Sequence, residues 1–282
     1  MGNALEVLAF TGSGISNTFT TLTGVGSDSA TIRNYRQGSG ASLLQFWAGS
    51  ITAGETQILS PEMNDVKIGL RENFRPLDLS VFSGSGPSVF SAGVISDYLL
   101  SGFPEPLSAQ QALTIQMTTS GSDTSSGLGL LVYYNDIPGI QQSLITPSQV
   151  ASQFVKNAAL NINTAAGVQY STTSAAFNAT TTGNLVNNTN YALLGYTTSS
   201  DALVVGFKGP FSSNLHIGGP GDSFRTSRTS NYFVDLSLRY GMPLIPVFNS
   251  ADLAGTFVET VPVGPSQATR VNLVLAQLRG QI

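Results

Sequence analysis

Apolar and polar residues alternate in short runs along this chain, and Gly, Pro, Ser or Asn ends most runs before a long helix can form. A period of two is the mark of half-buried strands. The clearest stretch runs from Tyr191 to Phe248. Tyr191, Leu193, Gly195 and Thr197 fall on one side of an extended chain, and Ala192, Leu194, Tyr196 and Thr198 on the other. Ala202 to Phe207 is a short apolar run. Tyr232, Val234, Leu236 and Leu238 alternate with Phe233, Asp235, Ser237 and Arg239, which predicts a strand there too.

The same texture predicts strands in ALEVLAFTG near the start, LLQFWAGS and ETQILS around the turn Thr52-Ala53-Gly54, and ALTIQMTTS and GLGLLVYYND around the turn Gly121 to Ser126. Leu128 to Tyr134 is apolar on both faces, as an interior strand is. The closing segment RVNLVLAQL puts Val271, Leu273 and Leu275 on a buried face, with Val274 in need of cover from the other side.

Two stretches carry helical spacing. Val89, Ala92, Ile95 and Leu99 recur at three to four residues in 88–100, before Pro104 and Pro106. Thr146 can cap and Pro147 suits a first turn, and Val150, Phe154 and Ala158 then form a stripe, which predicts a helix over 147–160. The fold class is all-β, an antiparallel sandwich with one or two short helices. The helix divides the chain into a first sandwich over 1–146 and a second over 161–282, each long enough for about eight strands. The alternative is one elaborated barrel over 1–282. Phe46-Trp47-Ala48-Gly49 before ILSPEMND and Gly206-Phe207-Lys208-Gly209 before HIGGPGD hint at a recurrence, although Gly, Pro and Asp recur in any β loop.

Composition adds a neutral surface. Charged residues are 10% and Gly numbers 30, against about 25% charge in ordinary domains. A surface of hydroxyls and amides is weakly hydrated and tolerates burial against neighbours. The net charge is −4 and the Lys and Arg residues are scattered, so strong direct nucleic-acid binding is not expected. Zero cysteines exclude disulfides and thiolate metal sites. MGNALEVLAF lacks the basic and apolar regions of a signal peptide. Glu6 stands where a myristoylation motif wants Ser or Thr. No apolar run reaches the roughly 18 residues of a membrane helix.

Candidate chemistry is sparse. His216 is the only histidine, and no nucleophile elbow lies near it, so a hydrogen-bonded or interface role is expected. One His without Cys makes a zinc site improbable. GGPGD at 218–222 lacks the Lys and Ser/Thr of a phosphate loop and reads as a tight turn. Glu55, Glu62 and Asp65, or Asp235 and Glu259, are the carboxylate sets a glycosidase would use. Asp65, Asp222 or Asp252 could contribute to a calcium site. Trp47, Phe46, Tyr133 and Tyr134 suit either a sugar-stacking platform or a core, and strand aromatics favour the core. The sequons at Asn178 and Asn187 are read as incidental. No catalytic residue, cofactor or metal site is assigned, and the chain is not expected to be an enzyme.

Two β halves around PSQVASQFVKNAA, the low-charge Ser/Thr/Gly surface, the lack of cysteine and the closing strand RVNLVLAQL together give a chain that resembles the jelly-roll coat proteins of icosahedral viruses. The resemblance is to the double jelly-roll major capsid proteins of tailless bacterial and archaeal viruses in particular. It implies a jelly-roll barrel, single or in tandem, that self-associates into a homo-oligomer and a shell, with minor capsid proteins as further partners. It also implies a virion location after synthesis in the host cytoplasm. A carbohydrate-binding or adhesive β-sandwich of a phage tail or cell surface is the second reading, and a carbohydrate-active enzyme the third.

Overall fold

The computed structural model describes residues 2–15, 18–33, 40–50, 54–59, 79–81, 88–89, 104–107, 112–119, 123–164, 175–176, 185–200, 202–221, 229–262 and 268–280. The strands of five residues or more are β1 (Gly2–Gly14), β2 (Gly40–Ser50), β3 (Gly54–Leu59), β4 (Thr114–Thr119) and β5 (Asp123–Ile137). Helix α1 (Pro147–Gln153) follows, then β6 (Phe154–Asn163), β7 (Asn190–Thr198), β8 (Ala202–Lys208) and β9 (Ile217–Gly221). Helix α2 (Tyr232–Tyr240), β10 (Ile245–Asn249), β11 (Phe257–Pro262) and β12 (Arg270–Leu278) complete the order. The strand pairings that join these elements are antiparallel. The all-β sandwich expected from the period-two pattern is what the chain adopts.

Four sheets form. The first centres on β1, β5 and β2, with β5 in the middle, and the second pairs β4 with β3. The third pairs β11, β8 and β9; the fourth runs Leu144–Ile145, β10, β7, β12, β6. One face of the first sheet carries Leu8, Phe10, Leu128, Leu130 and Val132, which pack with Leu22, Leu113 and Ile115 on the side of the second sheet. The alternate residues Leu5, Val7, Ala9 and Leu131 join a second cluster with Leu203, Val205 and Ile217 of the third sheet. Phe207 of the third sheet meets Tyr196 of the fourth edge-on, with ring centroids 5.4 Å apart. The layers therefore stack second, first, third, fourth. Strands in the inner layers are covered twice, which is why β5 and β8 are apolar on both faces.

From Leu5 to Ala9 the outer edge of β1 is closed by groups that are not a strand, and beyond them Phe10 and Thr11 pair with Gly24 and Thr23. The Leu5 amide donates to Gln142 Oε1 at 2.8 Å, and Gln142 Nε2 donates to the Leu5 carbonyl at 2.9 Å. The Val7 amide donates to the His216 carbonyl and the Ala9 amide to Asp28 Oδ2, each at 2.8 Å. These are alternate residues, whose amides share one edge, so the row of donors is satisfied as burial demands.

Three expectations need correction. The helix over 147–160 is only α1. Its start is as read: Thr146 Oγ1 accepts from the Gln149 amide and Gln149 Oε1 accepts from the Thr146 amide, a capping box ahead of Pro147. Phe154 turns extended at φ −61° and ψ 132°, and β6 pairs with β12 from Phe154↔Leu278 to Asn163↔Arg270. Ala158, Leu160 and Ile162 point inward at a spacing of two, which outweighs the spacing of four from Val150. The strand expected at Tyr232 to Arg239 is helix α2. Tyr232, Phe233, Leu236 and Ser237 are buried while Leu238 is 66% exposed, a helical stripe rather than an alternation. Gly241 ends it in the left-handed region at φ 63°. GGPGD is not a tight turn: Ile217–Gly221 is a buried strand on β8. There, side chains on Gly218 and Gly219 would strike the Val205 carbonyl and the Tyr232 ring.

Smaller differences follow. β5 begins at Asp123, inside the turn expected over Gly121 to Ser126. Of the helix expected over 88–100, Ser88–Val89 pairs as strand with Gly49 and Ser50, and the rest lies outside the described residues. Val271, Leu273 and Leu275 are buried as expected, with β12 inside its sheet between β7 and β6. Val274 is only half covered.

Candidate functional site

The residues weighed for chemistry are scattered. His216 Nε2 lies 2.5 Å from Glu259 Oε2, both largely buried, so the expected hydrogen-bonded histidine is found. Glu259 belongs with His216. Its suggested partner Asp235 sits in the first turn of α2, where burial raises its carboxyl above the usual range and Arg239 opposes the rise. Glu55 lies on β3; Glu62, Asp65 and Asp222 fall outside the described residues, as does Asn178. Among the described residues no group of three metal-binding side chains occurs, and no helix is long and apolar enough to cross a membrane.

Trp47, Phe46, Tyr133 and Tyr134 are core. Trp47 is 0% exposed and donates from Nε1 to the Leu203 carbonyl at 2.5 Å. It stands opposite Gly129 in register, and a side chain at Gly129 would collide with its indole. A sugar platform built from these rings is excluded by burial. Glu6, read as a poor fit to a lipidation motif, is instead an inner-face acid. Arg33 donates to it from Nε at 2.8 Å and from Nη2, and the Tyr134 hydroxyl donates to Glu6 Oε2 at 2.9 Å. The hydrogen bond to Glu6 raises the Arg33 pKa, and burial pushes the Tyr134 phenol up. Nothing in the sequence spacing marks this cluster, since its members come from three separated segments.

The feature with the most surface chemistry is β6. It is the last strand of the fourth sheet, hydrogen-bonded to β12 on one side only among the described residues. Asn157, Ala159, Asn161 and Asn163 are exposed on its outward face, beside half-covered Asn272 and Val274 of β12. Phe154 and Val155 are 41% and 42% exposed at its start. Lys156 is the one charge along the strand. An edge this neutral offers a row of backbone donors and acceptors to another chain. α1 anchors it, with the Arg279 amide donating to the Gln153 carbonyl at 2.8 Å.

No protein-family model and no curated protein matches the chain. Among solved structures it is similar to the PBSX exported protein XepA, at 11% identity over 93% of this chain and 88% of that one, with a TM-score of 0.21. It is also similar to the major capsid protein P2 of bacteriophage PM2, at 9% identity over 99% and 100% of the two chains, with a TM-score of 0.22. Similarities at that level fix neither fold nor role.

Proposed function

We propose that the protein is a structural subunit that assembles with copies of itself through the β6 edge, as the coat protein of an icosahedral shell in a virion does. The observation that carries this reading is the β6 edge, unpaired among the described residues, with its charge-poor outward face. Natural edges are commonly guarded by charges, prolines or bulges; here Lys156 and a register shift between Phe154 and Lys156 lie at the start, and Asn157 to Asn163 carry neither charge, proline nor bulge. Covering the edge with a second copy removes the hazard and builds contact from backbone hydrogen bonds. The low overall charge fits a surface that neighbours bury, and the four stacked sheets supply a stiff body that fixes contact angles. The role needs no catalytic group and no direct grip on nucleic acid. Minor capsid proteins are further partners in this reading.

Light scattering on the purified protein and electron microscopy of the same sample test it. Uniform particles or closed oligomers are expected, and Ala159→Lys should give smaller species with an unchanged far-UV spectrum. A chain that stays monomeric over a wide concentration range would sink the assembly reading. Full assembly of Ala159→Lys would keep assembly but remove β6 from it.

A further inference from the structure

A cleft of about 790 Å³ opens beside β10, between the Pro210–Ser212 turn and the Ser250–Asp252 turn. Its volume lies within the range of about 300–1,000 Å³ typical of small-molecule sites. Phe211, half-buried, forms part of the wall, with Phe248 behind it at a ring distance of 5.7 Å. Asn190 and Asn249 also line it, held in place by their own bonds. Asn249 Nδ2 donates to Asn190 Oδ1 at 2.8 Å, Asn190 Nδ2 donates to the Gly280 carbonyl, and Asn249 Oδ1 accepts from the Ala251 amide. Those bonds use one N–H of each carboxamide, so each keeps a second to offer. Across the cleft, Ser213 Oγ accepts from the Gln141 amide and donates to the Gln141 carbonyl. Ser213 and Asn214 hold left-handed φ of 53° and 59°, a strain that clusters at binding sites.

We propose that this cleft binds a neutral saccharide, with Phe211 packing on a sugar face and Asn190 and Asn249 hydrogen-bonding its hydroxyls. Fixed amides beside an aromatic wall match a ligand that is apolar on its C–H face and polar around its rim. Among the described residues the lining holds no Lys, Arg or His, and Asp252 is its one charged group, so uronates and phosphates are disfavoured. An added peptide strand is also disfavoured. Both edges of β10 are taken, by Asn190 to Ala192 on one side and Leu144–Ile145 on the other, and the Val247 amide donates to the Ser143 carbonyl. Recognition has to come from side chains. The site is separate from β6 and stands whether or not the chain assembles.

The test titrates the full chain with neutral di- to tetrasaccharides of glucose, galactose, mannose and N-acetylglucosamine, a uronate disaccharide, and a mixed decapeptide pool, followed by calorimetry and ligand-observed NMR. Saturable binding of at least one neutral saccharide is expected. Phe211→Ala should weaken it about tenfold or more and Phe211→Tyr should keep it. Ala254→Trp, at an exposed wall position, should abolish binding without touching the core, and serves alone if Phe211→Ala does not fold. Silence across the neutral panel, binding indifferent to Ala254→Trp, or preference for the uronate or the peptides would overturn the proposal.

Discussion

Three buried phenols set how the molecule meets alkali. The Tyr134 hydroxyl donates to Glu6, Tyr196 to the Pro220 carbonyl and Tyr232 to Gln45 Oε1. Burial raises all three above the ordinary 10.0. The folded chain therefore holds protons that the unfolded chain gives up above about pH 10, so their contribution is level below that pH and stability falls as pH rises beyond it. Absorbance of tyrosinate should lag behind the free-tyrosine curve and then rise together with loss of the far-UV signal. Free titration of all nine tyrosines near pH 10, with the fold intact, would contradict the burial. At this scale the sequence favoured the core for Trp47 and a hydrogen-bonded His216, as found, but did not show what holds either in place. Trp47 on a strand looks the same whether it faces sugar or core; what decides is Gly129, which leaves room for the indole from a strand far along the chain.

Among the elements, Val271, Leu273 and Leu275 of the closing strand are buried as their alternation foretold, while Val274 on the other face is half covered. β12 lies between β7 and β6, and Leu273 is 1% exposed. Leu273→Ala should cost about 2–5 kcal/mol, read as a lower denaturant midpoint at unchanged slope. Removing 271–282 takes away the strand that links β6 to β7, and insoluble protein is expected; a soluble, folded truncation would show that the sheet does not depend on β12. Strands were legible because alternation marks β7 and β12, and because Gly-rich breaks bound β1 and the continuous apolar run of β5. Helix α2 was not, because YFVDLSLRY satisfies both periods. Tertiary packing of Phe233 and Leu236, together with the Gly241 cap, settles the choice. The β6 edge was hidden under a helical stripe, and the cleft joins residues from 141 to 254 that no local motif connects.

At the scale of the whole molecule, the halves share a core. Two sheets come from residues 2–137 and two from 144–278. We propose that they are two sandwiches that fold as one cooperative unit. Leu5, Val7, Trp47 and Leu131 of the first half pack in one cluster with Leu203, Val205 and Ile217 of the second. Calorimetry should give a single transition with equal calorimetric and van't Hoff enthalpies, and a 1–146 fragment should be insoluble. Two resolved transitions, or a stable fragment, would establish independent domains. The closed edge of β1 also imposes a schedule on synthesis. The acceptor on His216 leaves the ribosome roughly 200 residues after Val7. At about 5–20 residues per second, some ten seconds or more pass with that edge open and its apolar faces uncovered. Yield in a cell is therefore governed by what shields nascent β1 during that delay, and slowing translation between residues 7 and 216 should lower it more than slowing it afterwards.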